Sequence, residues 1–206
     1  MTTVASIVEG DGEVAALPVL LRRMAAWLTP QLPMPNIATP IRVPRDRLLH
    51  RPAELSRHLQ LAAAKCGQGG WILILLDADD DCPATLGASL RQQASALVPH
   101  RPVAVVLANR EFEAWFIAAA PSLEGCRGFL AGPGPLPAAE GPRDAKGWIK
   151  QRMPSRAYGP STDQPAFAAR IDLAMARTNS RSFRKLSDEW LRHVGAASGQ
   201  PGAAPC

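Results

Sequence analysis

The sequence predicts an α/β fold: a mostly parallel sheet with helices on both faces, followed by a C-terminal helical extension. Three observations carry that expectation. Short apolar, β-prone runs at residues 3–8, 71–76 and 103–107 alternate with longer stretches of helical periodicity. The last two runs have no polar face, as in strands covered on both sides. Acidic residues follow the first two runs directly and the third within a few residues, at the edge where open α/β sheets gather their ligands.

The first strand spans 3–8 and leads into a turn at Gly10 and Gly12. Val14, Leu17, Leu20, Leu21, Met24 and Leu28 then recur at helical spacing. Pro18 falls near the start of that helix, and Pro30, Pro33 and Pro35 end it. Ile37 to Val43 reads as a second strand, confined to an edge or made irregular by Pro40. A helix over 52–65, the strand 71–76, a helix over 84–97, the strand 103–107 and a helix from Glu111 to Ala120 complete a core over 1–120. Residues 121–142, rich in Gly, Pro and Ala, read as a linker or loop. Three helices near 144–153, 164–177 and 182–193 form an extension over 143–194, and the Gly/Ala/Pro/Ser-rich tail over 195–206 reads as disordered.

With 206 residues and 47% hydrophobic content the chain can bury a sizeable core. No apolar run approaches the roughly 20 residues that span a bilayer. Acidic residues at 9, 11 and 13 interrupt any signal peptide, so a cytoplasmic protein is expected. Cys66, Cys82, Cys126 and Cys206 lack CxxC spacing, which fits reduced thiols better than structural zinc. Charge is uneven. Residues 143–193 hold 11 Lys/Arg and 5 Asp/Glu, whereas the first 142 hold 12 and 13. A polyanion could lie against the basic part while its phosphate meets a cation in the acidic part; a solvated helical surface explains the same charges.

The chemistry lies in the acidic runs. Glu9 ends the first strand, and Glu13 lies one turn further on, either facing the same cleft or serving the helix N-terminus. Asp77 and Asp79 are i and i+2, so a persisting strand points both to one face, and Asp81 extends the alternation or caps the next helix. Carboxylates crowded at strand ends need a positive partner, and an all-oxygen set suits Mg²⁺, Mn²⁺ or Ca²⁺. Glu111 and Glu113 follow the third buried strand, with Arg110 beside them as a phosphate contact. Lys146, Lys150, Arg181, Arg184 and Lys185 are further phosphate candidates.

Other chemistries lack their residues. There is no GxxxxGK[ST] loop, no complete dinucleotide fingerprint and no G-x-S-x-G elbow, and His50, His58, His100 and His193 show no ligand spacing. A nucleotide-sugar transferase would use Asp77-Ala78-Asp79 but leave Glu9-Gly10-x-x-Glu13 without a task.

Val8-Glu9-Gly10-Asp11-Gly12-Glu13 and Asp77-Ala78-Asp79 together resemble the Toprim fold, in the E-G-x-x-E version of OLD-type nucleases. The same two motifs, the segment Asn109-Arg110-Glu111-Phe112-Glu113-Ala114-Trp115-Phe116, and Lys146, Tyr158, Asp163-Gln164 and Ser182-Phe183-x-Lys185-Leu186 make the chain similar to the DUF4276 family over roughly residues 4–190. The resemblance implies a Toprim-like (Rossmann-like) core and a Mg²⁺- or Mn²⁺-dependent phosphodiester reaction on DNA or RNA. In it Glu9 acts as acid/base or ligand, Asp77 and Asp79 hold the metal, and Glu13, with Asp81 or Glu111, completes a second site. It also implies a separate AAA/ABC-type ATPase partner in a bacterial defence or genome-maintenance setting. Two further readings stay open: a non-catalytic binding module for that ATPase, and a hydrolase of small phosphoesters or nucleotides.

Overall fold

The computed structural model describes residues 2–133 and 135–195. Strands β1 (Thr3–Val8), β4 (Trp71–Asp77) and β5 (Val103–Ala108) lie side by side and parallel, with Val4 opposite Trp71, Val8 opposite Leu75, Ile72 opposite Val103 and Asp77 opposite Ala108. Alternation along each strand divides its side chains between two buried clusters. Val4, Val8, Trp71, Leu73, Leu75, Ala104 and Val106 face one; Ala5, Ile7, Ile72, Ile74, Leu76, Val105 and Leu107 face the other. This double coverage is why the strand sequences have no polar face.

The second strand is not continuous. Asn36–Ile37 (β2) and Ile41–Arg42 (β3) each pair with β1, opposite Thr3–Val4 and Ile7–Val8, and Pro40 separates them because it has no N–H to offer the ladder. The sheet order is β2-β1-β4-β5, with β3 also on β1, so β5 is an edge strand.

One face is covered by α2 (Arg45–His50), α3 (Pro52–Cys66) and α4 (Pro83–Leu97), through Leu48, Leu55, Leu59, Leu90 and Ala94. Helix α2 has no counterpart in the sequence reading. The other face carries α1 (Asp11–Leu28) and the whole C-terminal part: α5 (Ala114–Ala118), α6 (Ala145–Gln151), α7 (Pro160–Arg170), α8 (Leu173–Asn179) and α9 (Arg181–Trp190), which passes into a π turn at Leu191–Gly195.

Two helices differ from expectation. The helix expected over Glu111 to Ala120 shrinks to α5, because the Phe112 N–H is drawn to the Asp77 carboxylate (2.8 Å) and the chain enters through a turn. The helix expected over 164–177 is two helices. Asp172 starts α8 by accepting from the Met175 N–H (2.9 Å), which breaks the run after Ile171. The tail expected over 195–206 lies, past Gly195, outside the described residues.

Residues of the core and the extension share one buried cluster. Phe112 and Phe116 pack edge-on (5.4 Å between centroids), Phe116 meets Phe167 (5.4 Å) and Trp115 meets Phe183 (5.4 Å). Trp115 Nε1 also donates to Ser182 Oγ (2.9 Å). The aromatic segment after β5 and the Ser-Phe pair of α9 thus contact each other directly. No described helix is long and apolar enough to cross a membrane.

Candidate active site at the carboxyl edge of the sheet

Parallel pairing in register brings the ends of β1, β4 and β5 to one edge. Glu9 follows β1, Asp77 ends β4, and Glu111 lies three residues past the end of β5. Glu13, in the first turn of α1, is 8% exposed and folds back over Gly10: a Cβ on Gly10 would sit 2.5 Å from Glu13 Oε2. Glycine at 10 therefore lets this carboxylate lie beside Glu9. Gly12 serves the opposite side, since a Cβ there would come within 2.2 Å of Gln164 Oε1 on α7.

The carboxylates disturb one another. Burial pushes the Glu9 carboxyl above its ordinary value, Asp79 and Glu13 add to the effect, and Arg45 opposes it. Glu9 Oε2 is buried without a hydrogen-bond partner. Asp77 is raised well above the usual range, first by burial and then by Glu13, Glu113 and Glu9, with Lys146 opposing. Its Oδ1 accepts from the Phe112 N–H. Burial likewise raises Glu111, whose Oε2 accepts from the Lys146 N–H at 2.7 Å.

Glu113 is fully buried behind this group. Its Oε1 accepts from Tyr158 Oη (3.0 Å) and Gln164 Nε2 (3.0 Å), and its Oε2 has no partner. Lys146 Nζ stands 3.8 Å from Glu113 and 4.0 Å from Glu111. Burial alone would lower the Lys146 ammonium, but Glu113, Glu111, Asp77 and Glu13 outweigh it and raise it. One inward ammonium is thus set against four carboxylates.

Beyond Asp77 the chain leaves the strand. Asp79 is held at φ 50 and Arg110 at φ 69, in the left-handed region. They brace each other: Asp79 N–H donates to the Arg110 carbonyl (3.0 Å) and Arg110 Nη1 to the Asp79 carbonyl (3.2 Å). This turn corrects the picture of an alternating Asp77, Asp79 and Asp81 on one strand face. Asp79 lies near enough to raise Glu9, yet its side chain is 58% exposed and 3.6 Å from Arg45 Nε. Asp81 does not cap α4, whose N-cap is Cys82; it pairs with Arg45 Nη2. Arg45 also donates to the carbonyls of Asp77 (3.1 Å) and Ala78 (3.4 Å), so it ties down the whole loop.

The phosphate candidates separate. Arg110 is engaged by Asp80 (2.5 Å), which Arg143 also meets (2.6 Å). Arg184 donates to the carbonyls of Arg177 (3.3 Å) and Thr178 (2.9 Å), closing the end of α8. Lys150 is exposed on α6, and Arg181 and Lys185 line a cleft beyond β5.

The donors fit a hard divalent cation in kind. All are carboxylate oxygens, one of them is a buried orphan, and their mutual repulsion is what a cation relieves. Among the described residues no group of three or more His, Cys, Asp or Glu side chains is drawn together in ligating geometry. The sequence reading did not identify Arg45 or Gln164 as site residues, and gave no role to Glu113 or Tyr158. The Glu-x-Glu spacing and Tyr158-x4-Asp163-Gln164 were the available signals, but only their packing shows that they meet.

No curated protein and no solved structure significantly matches the chain. The profile of the domain of unknown function DUF4276 matches residues 8–190, a span that runs from the end of β1 to the end of α9, and the chain belongs to that family.

Proposed function

We propose that this protein is a Mg²⁺- or Mn²⁺-dependent nuclease of Toprim type that cleaves phosphodiester bonds in DNA or RNA. One observation carries the reading: Glu9 follows β1, Asp77 ends the adjacent parallel β4 and Glu13 lies in the first turn of α1, with Glu9 and Asp77 raised by burial and by neighbouring carboxylates and Glu9 Oε2 left unpartnered. Glu9, Glu13 and Asp77 would hold the cation, with Asp79 at its rim. A bound divalent cation offsets charge on a scissile phosphate and makes a water more acidic. Glu9, as ligand or as general base, would stand closest to the proton which that water gives up. Lys146, held by Glu111 and Glu113, offers its ammonium to the phosphate or the departing oxygen. Tyr158 and Gln164 keep Glu113 in place and touch no reacting atom.

The same proposal includes a separate ATPase partner and a defence or genome-maintenance role. We place the activity in the cytoplasm, where nucleic acid is at hand and where the free Cys66, Cys82 and Cys126 stay reduced.

The test is cleavage of labelled DNA and RNA, single- and double-stranded, with Mn²⁺ or Mg²⁺. The wild type should cut at least one, and Glu9→Gln and Asp77→Asn should lose at least 100-fold in rate while keeping their circular dichroism. Equal cutting by both variants would refute the mechanism. Turnover of free nucleotides without cleavage of polymers would move the assignment to a small-phosphoester hydrolase.

A further inference from the structure

The edge strand β5 borders a cleft of about 730 Å³, between α4 on one side and α9 on the other. Its floor is apolar, formed by Val105, Leu107 and Pro83 with the small residues Ala84, Gly87 and Ala88 of α4. Its rim is basic: Arg91 from α4, and Arg181, Lys185 and Arg192 from α9 and the π turn. The one acid in its wall, Glu140, is already engaged, accepting from Asn109 Nδ2 (3.1 Å), Ser180 Oγ (2.8 Å), and Ser182 N (2.7 Å) and Oγ (2.8 Å). Glu189, behind the rim, pairs with Lys185 (2.5 Å) and Arg192 (2.8 Å) and offsets part of their charge. Arg91 and Arg181 are exposed. An apolar floor under a cationic rim matches an amphipathic anion: a ligand with flat apolar faces joined by phosphates.

Two wall residues connect the cleft to the acidic edge. Cys82 follows the loop that carries Asp77 to Asp81, and Asn109 stands two residues before Glu111. The volume lies within the roughly 300–1,000 Å³ of small-ligand clefts, room for a few bases and not for a duplex. We propose, resting on the nuclease reading, that this cleft seats a single-stranded segment of the nucleic acid whose phosphodiester lies at the acidic edge, with bases over the apolar lining of Pro83, Ala84 and Ala88 and phosphates on Arg91 and Arg181.

The experiment is fluorescence anisotropy of a labelled single-stranded 12-mer in EDTA, where no metal-dependent cutting occurs. Two variants are compared with the wild type. Arg91→Gln/Arg181→Gln removes two exposed charges. Gly87→Met fills the cleft at constant charge, in a helix position where a Cβ meets only Leu107 carbons at 4.0 Å. The double variant should bind at least tenfold more weakly, and its log–log salt slope should be shallower by about 1.4, at about 0.7 per phosphate contact in single strands. Gly87→Met should weaken binding with the slope nearly unchanged. Unchanged affinity and slope in the double variant would overturn the proposal. So would an absence of 12-mer binding by the wild type, or equal displacement of the 12-mer by a poly-glutamate peptide of the same charge, which would make the cleft a site for acidic protein segments. Tight cleft-dependent binding without any metal-dependent cleavage would refute the nuclease reading and leave the cleft assignment standing.

Discussion

Asp77→Asn should stabilise the metal-free protein. Asn keeps the acceptor that holds the Phe112 N–H and removes the charge that Glu13, Glu113 and Glu9 oppose, at the loss of attraction to Lys146. The gain dominates because burial first, and the neighbouring carboxylates second, disfavour the Asp77 charge by more than Lys146 favours it. Single stabilising substitutions commonly yield about 0.5–2 kcal/mol, or roughly 1–8 °C in Tm for a chain of this size. The pH dependence has a definite sign. The native state holds the Asp77 proton more tightly than the unfolded chain, so stability from this group is full at low pH and is lost as pH rises from about 3.9 through the raised native value. The advantage of the Asn variant should therefore be near zero at pH 3 and grow with pH. At the proposed metal site, a bound cation should invert the order. At a hundredfold excess over Kd, Mn²⁺ should add about 2.7 kcal/mol to the wild type, about 5–11 °C, and little to the variant. Calorimetric melting from pH 3 to 8, with EDTA or Mn²⁺, measures both. A variant less stable than the wild type at pH 7 in EDTA, with unchanged secondary structure, would refute the electrostatic reasoning.

Other substitutions test separate parts of the argument. Glu189 meets Lys185, Arg192 and His193; burial works against its charge, but these contacts prevail and hold its pKa down at about 2. The shift corresponds to about 3 kcal/mol, reduced to about 2 because Lys185 and Arg192 are half exposed. That stability is present above about pH 4.5 and lost as pH falls toward 2, so urea titrations of Glu189→Gln should show the deficit at pH 7 and a vanishing one near pH 2. Gly12→Ala should cost about 1–3 kcal/mol by driving a methyl group into Gln164, and a Gln164→Ala background should remove most of that cost in a double-mutant cycle. Arg45→Met, which frees the Asp77 to Asp81 loop, should weaken Mn²⁺ binding by about 10-fold or more in calorimetry while the melting point falls only modestly.

The strands and the acidic edge were legible because each rests on local pattern. β-prone runs of strand length, two of them unbroken and apolar, each followed by carboxylates, allow few other readings, and Glu9, Glu13 and Asp77 lie at one edge. The failures share a cause. Asp79 leaves the strand face because its left-handed backbone is braced by Arg110, 31 residues away, and alternation holds only while the strand lasts. Asp81 belongs to Arg45, an arginine in a segment without any motif, reached across 36 residues. Glu111 and Glu113 look alike in sequence, yet the first is half-covered and the second is fully buried under Tyr158 and Gln164. Partnerships of that range have no periodicity to betray them.

The division of the site between early and late parts of the chain has a consequence for biosynthesis. All of its carboxylates are present once residue 113 has been made, whereas Lys146, Tyr158 and Gln164 follow up to about 50 residues later, several seconds at ordinary translation rates. For that interval Arg45 and Arg110 hold the outer Asp79 to Asp81 loop, but the inner carboxylates lack the ammonium that faces them in the finished fold. The chain thus acquires its acidic centre before its counterweight, and a ribosome stalled between these points should release a core that is both open at its hydrophobic face and electrostatically unfinished.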